Sequence, residues 1–120
     1  MLNGSWIQVY SNEDGVDNPE EEKGLGSITN FKDGEFIVYS TENKIALKGE
    51  YITRPDASPP EIDWVDSIGI DAGKLFPSIY ELTDDTFMFC AADEGVARPK
   101  IFTPQKGHTI RKFSRLIKNA

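Results

Sequence analysis

The stretch PSIYELTDDTFMFCAADEGVARPKIF, Pro77 to Phe102, decides the fold. It opens with the arm Ser78-Ile79-Tyr80-Glu81-Leu82, passes an acidic turn at Thr83-Asp84-Asp85, and returns along Thr86-Phe87-Met88-Phe89-Cys90-Ala91-Ala92. β-Branched and aromatic side chains pack well on a pleated surface, and Thr and Asp suit the turn between them, so the pattern is that of a β-hairpin. The second arm is apolar on both faces, which predicts protein on both of its sides. A loop at Asp93-Glu94-Gly95 follows, leading into Arg98-Pro99 and the apolar pair Ile101-Phe102.

Working outward, Leu2 to Ser11 alternates as a strand, with Leu2, Gly4, Trp6 and Gln8 on one face and Ile7 and Val9 on the other. Gly4 before Trp6 suggests a bend or a close backbone approach beside a large ring. Asn12-Glu13-Asp14-Gly15 is a turn signal. At Asn18-Pro19, a capping residue and a first-turn proline precede three glutamates, so the residues through Lys23 read either as one short helical turn closed by Gly24 or as a solvated loop.

Leu25 to Phe31 and Glu35 to Ser40 are paired strands across the turn Lys32-Asp33-Gly34. Lys44 to Thr53 keeps a period of two, with Ile45, Leu47, Gly49 and Tyr51 opposite Lys44, Lys48 and Glu50, as in a strand with one wet face. The prolines of Pro55 to Pro60 mark a loop, and Glu61 to Asp66 resumes as a strand. Ile68 to Phe76 reads as a longer connection, and Thr109 to Ile117 as the last strand.

Short strands joined by local turns predict an all-β antiparallel meander, one domain over residues 1–120, with at most one short helical turn. About eight such strands close into an up-and-down barrel with room for side chains or one small ligand. Closure also removes the two exposed edges of an open sheet. The competing arrangement is a two-sheet sandwich, but the local connections favour the barrel over Greek-key topology.

Several short motifs, in order along the chain, carry a resemblance. They are Gly4-x-Trp6, Asp14-Gly15, Gly49-x-Tyr51, Pro60-x-Ile62-Asp63, Gly73-Lys74, Pro77-x-Ile79-Tyr80-Glu81-Leu82, Asp85-Thr86, Cys90-x-Ala92 and Arg98-Pro99, with the basic residue Arg115 near the end. Over almost its whole length the chain resembles a bacterial lipocalin-like domain family, abundant in planctomycetes, to which no activity is attached. The resemblance implies a lipocalin-like (calycin) β-barrel. By analogy of fold alone, it also implies a small apolar ligand in the lumen. In such barrels a first-strand Gly-x-Trp packs beneath a last-strand arginine. Gly4, Trp6 and Arg115 are therefore expected to latch the first strand to the last through a cation–π contact, which contributes on the order of 1 kcal/mol.

The 120 residues are 38% hydrophobic and 28% charged, with a net charge of −7. A phosphate backbone or anionic membrane would be repelled, whereas a basic protein partner is compatible. Acidity also serves solubility by itself. The single cysteine, Cys90, rules out an internal disulfide, and its apolar neighbours predict a buried, inert thiol. With no basic and apolar leader pattern after Met1, a cytoplasmic location is the expectation.

Motifs for chemistry are weak. His108, the one histidine, lies in a Gly-containing turn beside Lys106 and is expected at the surface, out of reach of a nucleophile. One histidine and one cysteine give no zinc spacing, and Glu20-Glu21-Glu22 lacks the alternating oxygen ligands of a calcium loop. Gly69, Gly73 and Lys74 lack the spacing of a phosphate loop. The expectation is therefore a non-enzymatic protein with no cofactor and no metal. It binds either a small apolar or carboxylate-bearing ligand, or, as a small acidic inhibitor or immunity protein does, a basic partner. The polar residues Tyr51, Asp63, Tyr80 and Arg98 stand out on otherwise apolar segments. If they point inward, Asp63 pairs with Arg98, which either anchors a ligand carboxylate or plugs one barrel end.

Overall fold

The computed structural model describes residues 2–17 and 26–116. Nine strands follow in order: β1 (Gly4–Glu13), β2 (Val16–Asp17), β3 (Ile28–Lys32), β4 (Glu35–Tyr39), β5 (Ile45–Arg54), β6 (Glu61–Asp66), β7 (Leu75–Leu82), β8 (Thr86–Ala92) and β9 (His108–Arg115). All pairings are antiparallel between sequence neighbours, except that β1 pairs with β3 as well as with the two-residue β2. β1 also pairs with β9, with Trp6 opposite Arg115 and Glu13 opposite Thr109. The result is a closed eight-stranded antiparallel barrel with one extra strand, consistent with a lipocalin-like barrel. The described residues contain no helix, and the predicted helical turn near Asn18 lies outside them.

Strand boundaries shift where pairing runs on past the expected ends. β1 runs on to Glu13 because Asn12 and Glu13 pair with both β2 and β9. β7 begins at Leu75 rather than Ser78, since Leu75, Phe76 and Pro77 pair with Val65, Trp64 and Asp63. A bulge between Gln8 and Tyr10 leaves Val9 half-exposed and re-aims the rest of β1.

Alternation along the strands fills the barrel. Leu2, Trp6, Phe31, Phe36, Ile62, Trp64, Tyr80, Phe87 and Phe113 form the buried inner core. Phe87 lies at its centre, with ring centroids 5.6 Å from Phe113, 5.7 Å from Phe31 and 6.0 Å from Trp6. Burying each large side chain contributes about 1.5–3 kcal/mol. Gly49 allows a close approach here. A Cβ at this position would lie 2.2 Å from the Val65 carbonyl oxygen and 2.9 Å from the Phe36 ring, which covers the glycine from the opposite strand.

A second buried cluster lies on the outer face. Ile79, Cys90 and Ile110, adjacent on β7, β8 and β9, pack with Tyr10, Met88 and Phe102. Phe102 belongs to the connection from β8 to β9, residues 93–107, which straps that face. Here is the reason for the two-faced apolar pattern of β8: Phe87 and Phe89 serve the inner core, Met88 and Cys90 the outer one.

Candidate ligand cavity

The four polar residues picked out by sequence do not converge in the lumen. Ile62 and Trp64 face inward on β6, so Asp63 and Glu61 face outward, beside outward-facing Arg54 of β5. Asp63 Oδ2 lies 2.7 Å from Arg54 Nη2 and Asp63 Oδ1 2.7 Å from Arg98 Nη1; Glu61 Oε1 lies 2.7 Å from Arg54 Nε. Arg98 Nη1 also donates to the Ser78 carbonyl at 2.9 Å. The expected Asp63–Arg98 pair therefore exists, but on the outer wall, because strand parity puts Asp63 opposite Trp64. It pins the 93–107 strap to the barrel. Burial would raise the Asp63 carboxyl, but the Arg98 and Arg54 guanidiniums outweigh it and hold the group below its ordinary range.

Tyr51 and Tyr80 do face inward, but at the end of the barrel filled by rings. Tyr51 meets Phe31 edge-on at 5.3 Å, and its hydroxyl reaches Asn3 Oδ1 at 3.4 Å. Tyr80 is buried against Phe87 at 6.1 Å. Burial raises both phenols.

At the same end the Arg115 guanidinium carbon lies 4.1 Å over the centroid of the Trp6 ring. Arg115 Nη1 donates to the Asn3 carbonyl at 3.1 Å and Nε to the Asp84 carbonyl at 2.6 Å. Gly4, at φ +127°, makes room: a Cβ there would lie 3.2 Å from Arg115 Nη1. Trp6 is fully buried and donates from Nε1 to the Leu2 carbonyl at 2.9 Å.

Cys90 is buried, and burial pushes its thiol up to about 11, away from reactivity. His108 is a correction: it is only 8% exposed and opens β9, because pairing with Ala92 draws it under the strap. Its Nε2 lies 3.4 Å from Gln105 Nε2. Among the described residues, no group of three or more His, Cys, Asp or Glu side chains is arranged to hold a metal ion.

The other end of the lumen holds a cavity of about 700 Å³. Phe31, Phe36, Trp64, Phe76, Phe89 and Phe113 form its apolar walls. Gln8, Thr29 and Arg111 bring polar groups to it. Gln8 is 4% exposed and accepts from Arg111 Nη1 through Oε1 at 3.3 Å. Its Nε2 amide and the Trp64 Nε1 are buried without a hydrogen-bond partner among the described residues. Such orphaned donors are uncommon in folded proteins, since each costs about 1–3 kcal/mol. The rim carries Glu13, Asp66, Asp71 and Asp93. Burial, with the nearby Asp71 charge, pushes the Asp66 carboxyl up to about 6.

Comparison with family models, curated proteins and solved structures finds no match. The cavity must therefore be read from its own chemistry.

Gln8, Trp64, Arg111 and Asp66 are not among the site residues that the sequence marks out. A signal for them existed. Gln8 shares the alternation of Trp6, and Arg111 is two residues from Phe113, so each falls on the inward face of a strand. Polarity drew attention to Asp63 and Arg98, but parity with the nearest large aromatic is the better guide to which side chains enter a barrel.

Proposed function

We propose that this barrel holds a small ligand in its lumen and performs no chemistry on it. The ligand has an apolar body and ends in a carboxylate or similar oxygen acceptor. The observation that carries this reading is the buried Gln8 Nε2, without a hydrogen-bond partner among the described residues, in the wall of a 700 Å³ cavity that also contains Arg111. An acceptor group placed beside Gln8 satisfies its amide and meets the Arg111 charge, while the phenylalanine walls take the apolar body. Lipocalin-like motifs along the sequence support the same reading. Arg111 thus replaces Arg98 as the anchoring arginine.

The test is calorimetric titration with octanoate and decanoate. Saturable binding is expected, weakened about tenfold or more in Arg111→Met and in Gln8→Leu, since a lost charge-assisted hydrogen bond costs about 1.5–3 kcal/mol. Arg98→Ala, on the outer wall, should leave affinity within about twofold. Absence of saturable binding, or unchanged affinity in both lumen variants, overturns the reading.

A second reading, a basic protein partner, is favoured by the net charge of −7 together with apolar tips at the cavity end, where Ile70 is 95% exposed and Ile45 53%.

A further inference from the structure

The rim of the cavity differs from its walls in a way that narrows the ligand class. Glu13 comes from β1, Asp66 from the end of β6, Asp71 from the β6–β7 connection and Asp93 from the residue after β8. Four separate elements thus bring carboxylates to one opening. The Lys74 ammonium lies 3.1 Å from Asp71 Oδ1 and offsets that charge. Among the described residues, the remaining carboxylates face a lumen with Arg111 as its one lining cation. The rim by itself would be a solvated acidic edge. The Gln8 amide Nε2, buried and without a hydrogen-bond partner among the described residues, separately supports an occupant in the same cavity.

The two polar features lie on different walls. Asp66 is on β6 and Arg111 on β9, three strands apart one way round the barrel and five the other. They therefore face one another across the lumen rather than along one strand. A simple fatty carboxylate would put its apolar end against the acidic rim, where it gains nothing from the charge.

We propose that the lumen takes a bipolar ligand, with a carboxylate held at Arg111 and Gln8 and an ammonium or other cationic group set at the Asp66 rim, joined by an apolar spacer. The rim then acts as the specificity element: it favours zwitterionic amphiphiles over plain carboxylates and repels dicarboxylates. This rests on the lumen reading above and adds the second end of the ligand. Among the described residues, the charged groups around Asp66 are Asp71 and Lys74 from the adjoining connection, Glu13 from β1, Asp93 after β8, Arg111 from β9 and outward-facing Lys48 on neighbouring β5.

The experiment compares octanoate, 8-aminooctanoate and octanedioate, which share a spacer and differ only at the far end. At pH 8 and low salt, 8-aminooctanoate is expected to bind about fivefold or more tighter than octanoate, and octanedioate weaker than both, as for partly exposed charge pairs. Asp66→Asn should erase most of the preference while keeping octanoate affinity, and 0.5 M salt should shrink it. Glu13→Gln provides a second rim variant should Asp66→Asn fold poorly. If octanoate binds and 8-aminooctanoate binds equally or more weakly, the bipolar assignment is overturned while the lumen reading stands. If none of the three binds, both fall.

Discussion

Gly4, Trp6 and Arg115 meet where the first and last barrel strands pair. The guanidinium covers the indole and bridges two backbone carbonyls, and this arrangement needs a residue without a side chain at φ +127°. Gly4→Ala should cost about 1–3 kcal/mol, from backbone strain and displacement of the arginine, measured as a shift in the urea midpoint. Gly49→Ala meets a different obstacle, a carbonyl oxygen 2.2 Å away, so β5 must move off β6; a loss larger than that of Gly4→Ala is expected. At Asp66 the sign of the pH effect runs opposite to the usual carboxylate case. Its folded value, about 6, exceeds the ordinary 3.8, so the native state holds the proton more tightly. Stability from this group is present below about pH 4 and is lost as pH rises toward 6. Asp66→Asn should therefore raise the thermal midpoint more at pH 7.5 than at pH 4; an equal gain at both would refute the assignment.

The strap and the three strands beneath it form one structural element with two attachments. Phe102 seats on Ile79, Cys90 and Ile110, and Arg98 ties to Asp63 and to the Ser78 carbonyl. Because Asp63 keeps Arg54 as a second partner, Arg98→Ala should cost only about 1–2 kcal/mol globally, consistent with a partly exposed ion pair. The local effect should be greater: amides of residues 93–107 would exchange faster while those of β3 to β5 remain protected. Unchanged exchange in the strap would show that Phe102 alone holds it. Since the Asp63 carboxyl is held below its ordinary range, its contribution is present above about pH 4 and fades on further acidification, and Arg98→Ala should lessen that acid sensitivity.

For the whole molecule, closure and lumen filling are the same problem. Phe87 touches the rings of Trp6, Phe31, Trp64, Tyr80, Phe89 and Phe113, so Phe87→Ala should destabilise by about 3–5 kcal/mol, read by denaturant unfolding. The barrel itself was legible in the chain. Alternation over Ile45 to Tyr51, the turn at Asp33-Gly34 and the hairpin around Asp84-Asp85 are local signals, and local signals specify strands and hairpins. Pairing of the first strand with the last could also be anticipated, because a meander that closes must join its ends, and the resemblance to lipocalin-like barrels implied that Trp6 and Arg115 meet there. The cavity was less legible. Whether Asp63 enters the lumen or leaves it depends on a register that one residue of slip would invert, and the bulge after Gln8 resets that register within β1. Period, turns and charge are properties of neighbouring residues, and the sequence alone determined them. Which rings fill one end of the barrel, and which leave 700 Å³ beside Gln8 and Arg111 at the other, is a matter of volumes brought together from eight strands, so only the tertiary structure decided it.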